Sequence, residues 1–162
     1  MTALNIIPAA GVPIPAEPHI GRHLIDGAWR DSVSGETYER TSPAHGVLVS
    51  RSALGTEADA EAAVQAARAA FDSGVWSRAS GKARATVLLK VADLIEANVE
   101  RMTLIETLES GKPISQSRAE VSGAADLWRY AASLARTMKG DSHNTLGEDF
   151  LGVVVKDPIG VV

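Results

Sequence analysis

At Thr56 the spacing of apolar residues changes from the two of a strand to the three and four of a helix, and that switch makes this a mixed α/β chain. Upstream, His23 to Trp29 alternates around Asp26-Gly27, the pair favoured in tight hairpin turns. Two further extended stretches, Thr37–Thr41 and Val47–Leu54, follow Ser34-Gly35 and the Pro43–Gly46 turn, so the opening third reads as a small β-meander or ribbon. At the switch, Thr56-Glu57-Ala58-Asp59 has the form of a capping box, in which the hydroxyl accepts from the amide three residues on and the carboxylate reaches back. Ala60, Val64, Ala67 and Phe71 then repeat at helical spacing and predict a helix over 57–72 with a narrow buried stripe, ended by Gly74.

Three more helices follow. One begins near Ser80 with Val87, Leu88, Val91, Leu94 and Ile95 on one face and breaks at Asn98. A shorter one carries Met102, Leu104, Ile105 and Leu108 and stops at Gly111 and Pro113. Ser117 to Glu120 reads as a second capping box, starting a helix that closes at Gly140. After a polar turn, Phe150–Lys156 reads as a strand, and Ile159-Gly160-Val161-Val162 as the start of another. A chain stopping inside an apolar run is expected to be a fragment, because a buried strand needs partners for its polar groups.

With 162 residues, 45% of them apolar, the chain can build one core. A net charge of −4 gives no reason to expect a nucleic acid, and the densest basic stretch (Arg78, Lys82, Arg84, Lys90) reads as a solvated helix face. No apolar run approaches the roughly 20 residues that span a bilayer, so no membrane partner is expected. With no cysteine there is neither a disulfide nor a thiol nucleophile in these residues, and the expected compartment is the cytoplasm. Residues 1–20, without Lys or Arg and carrying prolines at 8, 13, 15 and 18, read as an extended tail.

The common catalytic signatures are missing. There is no G-x-G-x-x-G, and Gly81-Lys82 and Gly111-Lys112 lack the flanking residues of a phosphate-binding loop. His19 and His23 have the spacing of metal ligands on a helix, but Gly21 lies between them, and they read as exposed. Glu106, Glu109 and Asp126 read as surface charge, although Glu106 and Glu109 are spaced to share a helix face as an acid–base pair. Trp29, Trp76 and Trp128 read as core or interface aromatics.

Taken in order, several segments resemble the start of the aldehyde dehydrogenase superfamily. They are Leu24-Ile25-Asp26-Gly27-Ala28-Trp29, the Thr41-Ser42-Pro43 turn with Gly46, the Asp59–Phe71 helix, Trp76, Leu94-Ile95-Glu96, and Glu106-Thr107-Leu108-Glu109-Ser110-Gly111-Lys112-Pro113. The tail Val154–Val162 resembles the approach to that family's first nucleotide-binding strand. The resemblance implies the N-terminal part of an α/β enzyme that oxidises a small aldehyde with NAD or NADP. In that chemistry a cysteine thiolate forms a thiohemiacetal, hydride leaves to the nicotinamide, and a Glu-activated water hydrolyses the thioester. The family's Asn, Glu and Cys lie beyond Val162, so no catalytic or cofactor-binding residue carries over.

What the resemblance assigns here is scaffold. Residues 21–140 correspond to the N-terminal part of the cofactor-binding domain, 141–158 to a β-ribbon that joins subunits into dimers or tetramers, and 159–162 to the start of the first nucleotide-binding strand. Gly123, Leu127 and Tyr130 would border the substrate tunnel, with plain helix packing as the alternative. A monovalent cation would sit between the Thr41 backbone and Glu109, although the family often has Asp at the latter position and Asn where Ser42 stands. The competing reading is a stand-alone, non-catalytic oligomerisation module.

Overall fold

Asp26 and Gly27 make the turn their residue types predict. In the computed structural model, which describes residues 11–145 and 147–162, both have positive φ (53° and 71°). That geometry matches the twist of the two strands it joins, β2 (His23–Ile25) and β3 (Ala28–Arg30), with Leu24 opposite Trp29. β4 (Thr37–Thr41) and β5 (Leu48–Ala53) form an antiparallel pair with a register shift between Arg40 and Thr41.

The ribbon reading needs one correction. A further strand, β1 (His19–Gly21), lies parallel to β5 on its other edge, giving the order β1-β5-β4. β1 satisfies the backbone groups that β5 would otherwise leave open, and it starts two residues inside the stretch read as tail. Residues 1–10 of that tail lie outside the described residues.

The Thr56 capping box forms as expected. Helix α1 (Glu57–Ser73) ends at Gly74, whose φ of 77° is the left-handed cap that glycine adopts without strain. The buried stripe does not form: Ala60 and Ala67 are exposed and Val64 is 54% exposed, while Asp59 is the one buried residue of α1. The sequence periodicity is real, but nothing among the described residues covers the stripe.

Helices α2 (Gly81–Ala97), α3 (Val99–Ser110) and α4 (Ile114–Thr137) make the packed body. α4 lies along α2 and also contacts α3. Ala85 and Ala92 of α2 are buried, as are Val121, Ala125 and Ala132 of α4. These small side chains let the helix axes approach closely. The large residues assigned to the α2 face lie at its margin, with Val87 and Leu94 exposed. The break at Asn98 is observed, and its side-chain amide donates to the carbonyl oxygen of Leu94 at 2.8 Å.

The second capping box is overturned. α4 starts at Ile114, directly after Pro113, whose fixed φ leads into its first turn. Ser117 is a full turn inside α4 and fully buried, and its hydroxyl accepts from that of Thr107 on α3 at 2.9 Å. The tryptophans are not core: Trp29, Trp76 and Trp128 are all exposed.

The ribbon is shorter than its composition suggests. β6 (Ser142–His143) falls within the stretch read as a polar turn and pairs antiparallel with β7 (Gly152–Val153), the only part of 150–156 in a strand. Residues 159–162 are in no strand, and Ile159 is 92% exposed, with no neighbouring strand among the described residues for it to join. No described helix is long and apolar enough to cross a membrane.

Candidate functional site

Glu109 is the best-anchored of the expected site residues. It sits in the last turn of α3, where its Oε1 accepts from the buried hydroxyl of Ser50 at 2.7 Å. Ser50 pairs with Arg40, the residue before Thr41, so the fold brings Glu109 to the part of the sheet where Thr41 stands. The turn beyond Thr41 is tightly made. Ser42 and His45 are buried and share a hydrogen bond of 3.0 Å, and Gly46 donates to the Ser42 carbonyl oxygen at 2.9 Å. Gly111 closes α3 against this turn, where its φ of 78° and the 2.8 Å a Cβ would leave to Pro43 both require glycine. A hard cation takes several oxygen ligands. Here the donor set is one carboxylate already engaged by a hydroxyl, plus backbone. Among the described residues no group of three or more His, Asp or Glu side chains is arranged to hold a metal ion.

Glu106 and Glu109 have different partners. Glu106 is bound by Lys112 at 2.8 Å, and the same ammonium reaches Glu120 at 2.6 Å. These two carboxylates, Glu106 foremost, hold the lysine above its ordinary range. Asp126 is an exposed partner of Arg129, which also binds Glu96 at 2.6 Å. Arg118 bridges to Glu100, so the helical carboxylates mainly tie α4 to α2 and α3. His19 is exposed, but His23 is partly buried, and its Nε2 faces no hydrogen-bond partner, contrary to the reading of two solvated histidines.

Gly123, Leu127 and Tyr130 lie one and two turns apart on a face of α4 that the described residues leave open. Leu127 is 66% exposed, Tyr130 is 61% exposed, and a Cβ on Gly123 would meet nothing within 4 Å. The buried residues Val121, Ala125 and Ala132 take the opposite face.

The two Gly-Lys pairs do not form phosphate loops. Gly111 ends a helix, and its amide donates to Thr107 rather than into a pocket. Gly81 begins α2 under the Ser80 cap but packs against the Ala135 carbonyl.

Sequence reading missed what Asp59 does. Its carboxylate accepts from the Thr56 amide (2.9 Å) and hydroxyl (2.8 Å), from the Ser32 hydroxyl (2.9 Å) and from the Val33 amide (3.1 Å). The Thr56 amide is the largest influence, and together these donors hold its pKa well below the ordinary aspartate range. The capping motif signalled the bond from the Thr56 amide but not the one from its hydroxyl. Nothing local signalled Ser32 and Val33, which lie 27 and 26 positions upstream.

A family model described as the aldehyde dehydrogenase family matches residues 29–162. Aldehyde dehydrogenase 1 of Tanacetum cinerariifolium is 41% identical over 140 residues, covering 86% of this chain and 28% of that protein. The NADP/NAD-dependent aldehyde dehydrogenase PuuC of Escherichia coli (strain K12) is 36% identical over 142 residues, covering 87% and 28%. Among solved structures, the NAD-dependent aldehyde dehydrogenase from Sinorhizobium meliloti matches with a TM-score of 0.81 and 47% identity, over 86% of this chain and 28% of that one. The chain thus spans just over a quarter of the length of these relatives.

Proposed function

Because the chain belongs to the aldehyde dehydrogenase family, we propose that it is the N-terminal portion of a cytoplasmic NAD(P)-dependent enzyme that oxidises a small aldehyde to a carboxylic acid. The observation that carries this reading is the agreement of sequence and fold over 86% of the chain with relatives of which it spans about 28%. The nucleophile and the cofactor site belong to the remaining polypeptide, since these residues contain no cysteine and no phosphate loop.

The part played by residues 1–162 is positional. α2, α3 and α4 form a packed body whose open face, with Gly123, Leu127 and Tyr130, borders the approach of the aldehyde. Two features support this role: the face is apolar and uncovered, and its backing of buried alanines fixes where it stands. The β6–β7 ribbon, which carries exposed Phe150 and Leu151, joins copies of the protein into a dimer or tetramer. A monovalent cation between the Thr41 backbone and Glu109 would brace the α3–β5 junction that Ser50 already fastens.

The test is cofactor reduction by the intact gene product supplied with a panel of aldehydes and with NAD or NADP. Aldehyde-dependent reduction by the intact protein, and none by residues 1–162 alone, is the expected result. Activity of residues 1–162 alone, or none from the intact protein with any aldehyde, contradicts it.

A further inference from the structure

Asp26-Gly27 is the only Asp-Gly pair in the sequence, which has no Asn-Gly. It forms the tip of the β2–β3 hairpin, and both residues are exposed. Asp26 is the one described residue other than glycine with a positive φ, 53°, and Gly27 follows at 71°. A Cβ on Gly27 would meet nothing within 4 Å, so the turn stands in open space. Among the described residues no backbone carbonyl accepts from the Gly27 amide. A carboxyl group and an unshielded amide nitrogen therefore adjoin each other at the tip, outside the ladder that pairs Ile25 with Ala28.

We propose that Asp26 is a modification site, where aspartate rearranges spontaneously to isoaspartate through a cyclic imide with Gly27. The Gly27 nitrogen attacks the Asp26 side-chain carboxyl carbon. A C–N bond forms, a C–O bond breaks, and one water leaves with the amide proton. Water then opens the five-membered ring. Opening at the side-chain carbonyl restores aspartate, whereas opening at the backbone carbonyl routes the chain through the side chain and frees an α-carboxylate. Nothing is oxidised or reduced, and the product has the mass of the starting chain. Glycine permits the attack because no side chain shields its nitrogen. The reaction uses only these two residues and water, so it does not rest on the dehydrogenase reading.

The ring needs a ψ at Asp26 far from that of a two-residue turn, so attack follows opening of the hairpin. Opening takes little free energy here. β2 and β3 have three residues each and form a sheet of their own, and a lone pair of strands is marginally stable. The Arg22–Asp31 ion pair at its open end is exposed on both sides and adds little. The Asp-Ser pairs, next least hindered, are better held. Asp31 is bound by Arg22, Asp72 is bound by Arg68 within α1, and Ser142, after Asp141, is paired in β6. Rearrangement adds a methylene to the backbone of the turn, which then no longer sets Leu24 opposite Trp29.

The experiment ages the intact gene product at neutral pH in heavy-oxygen water and then digests it with trypsin in ordinary water. Cleavage after Arg22 and Arg30 releases His23–Arg30. With time that peptide should gain one heavy oxygen and split into two chromatographic species of equal mass. The new species should accept a methyl group on its freed α-carboxylate from a sulfonium donor, through an isoaspartyl carboxyl methyltransferase. Ageing in urea should raise the rate by no more than about tenfold, because so small a hairpin opens readily. Asp26→Glu, whose ring would have six members, should lose both the label and the new species. Label that appears in urea but not in the native protein overturns the proposal, because the turn is then locked. Equal labelling of the peptides that hold Asp31, Asp72 or Asp141 overturns it too, because the tip is then not selected. The unaltered protein decides both points, whether or not Asp26→Glu folds.

Discussion

Asp59 shows how a single side chain joins two parts of the chain. It caps α1 and at the same time accepts from Ser32 and Val33 in the loop after β3, so the ribbon and the first helix are tied by one carboxylate. Because its pKa is lowered in the fold, its contribution is present above the unfolded-state pKa, about 3.9. That contribution is lost progressively as the pH falls below that value. Asp59→Asn should therefore lower the melting temperature at pH 7, and the gap to the parent protein should narrow on acidification towards pH 3. A gap independent of pH would mean that the charge is not what matters. The Thr107–Ser117 bond invites a different test. Ser117→Ala leaves a buried hydroxyl without its acceptor, at a cost of about 1–3 kcal/mol, whereas Thr107→Val combined with Ser117→Ala should cost less than the sum of the single changes. Additive costs in a double-mutant cycle would show that the hydroxyls do not interact.

At the scale of elements, local chemistry was legible and coverage was not. The hairpin at Asp26-Gly27, the Thr56 cap, the Ser80 start, the Asn98 break and the Gly74 and Gly111 ends all appear where their residue types predict. Each depends on backbone preferences within four residues. Ser117 misled for the same reason: its spacing to Glu120 fits a cap, but a buried bond to another helix decides its place. The parallel edge strand β1 and the Ser50–Glu109 contact join residues about 30 and 59 positions apart, beyond any local pattern. Of the candidate site, the shared face of Gly123, Leu127 and Tyr130 was legible from helical spacing, whereas the Ser42–His45 bond was not. Two glycines separate packing from access. Gly81→Ala should destabilise the α2–α4 pair by more than about 1 kcal/mol, because its methyl meets the Ala135 carbonyl. Gly123→Ala meets nothing and should gain up to about 1 kcal/mol of helix stability. If that face borders the substrate approach, Gly123→Ala should also raise KM for bulky aldehydes in the intact enzyme. An unchanged KM across aldehyde sizes would return the residue to plain helix surface.

For the whole molecule, the central fact is how much apolar surface these residues leave open: the α1 stripe, the Leu127–Tyr130 face and the Phe150–Val155 stretch. The Thr56 cap and the α1 helix signal were satisfied, yet the stripe predicted to be buried was bare. In the function proposed above, the remaining polypeptide and neighbouring copies would cover these surfaces and complete the scaffold only in the assembled enzyme. Amide hydrogen exchange along α1, compared between the intact gene product and residues 1–162 alone, tests this most directly. Slow exchange through Glu57–Ser73 in the intact protein and fast exchange in the isolated piece is the predicted result. Equal exchange in both would mean that α1 stays bare, and that these residues form an independent module rather than the opening of a dehydrogenase.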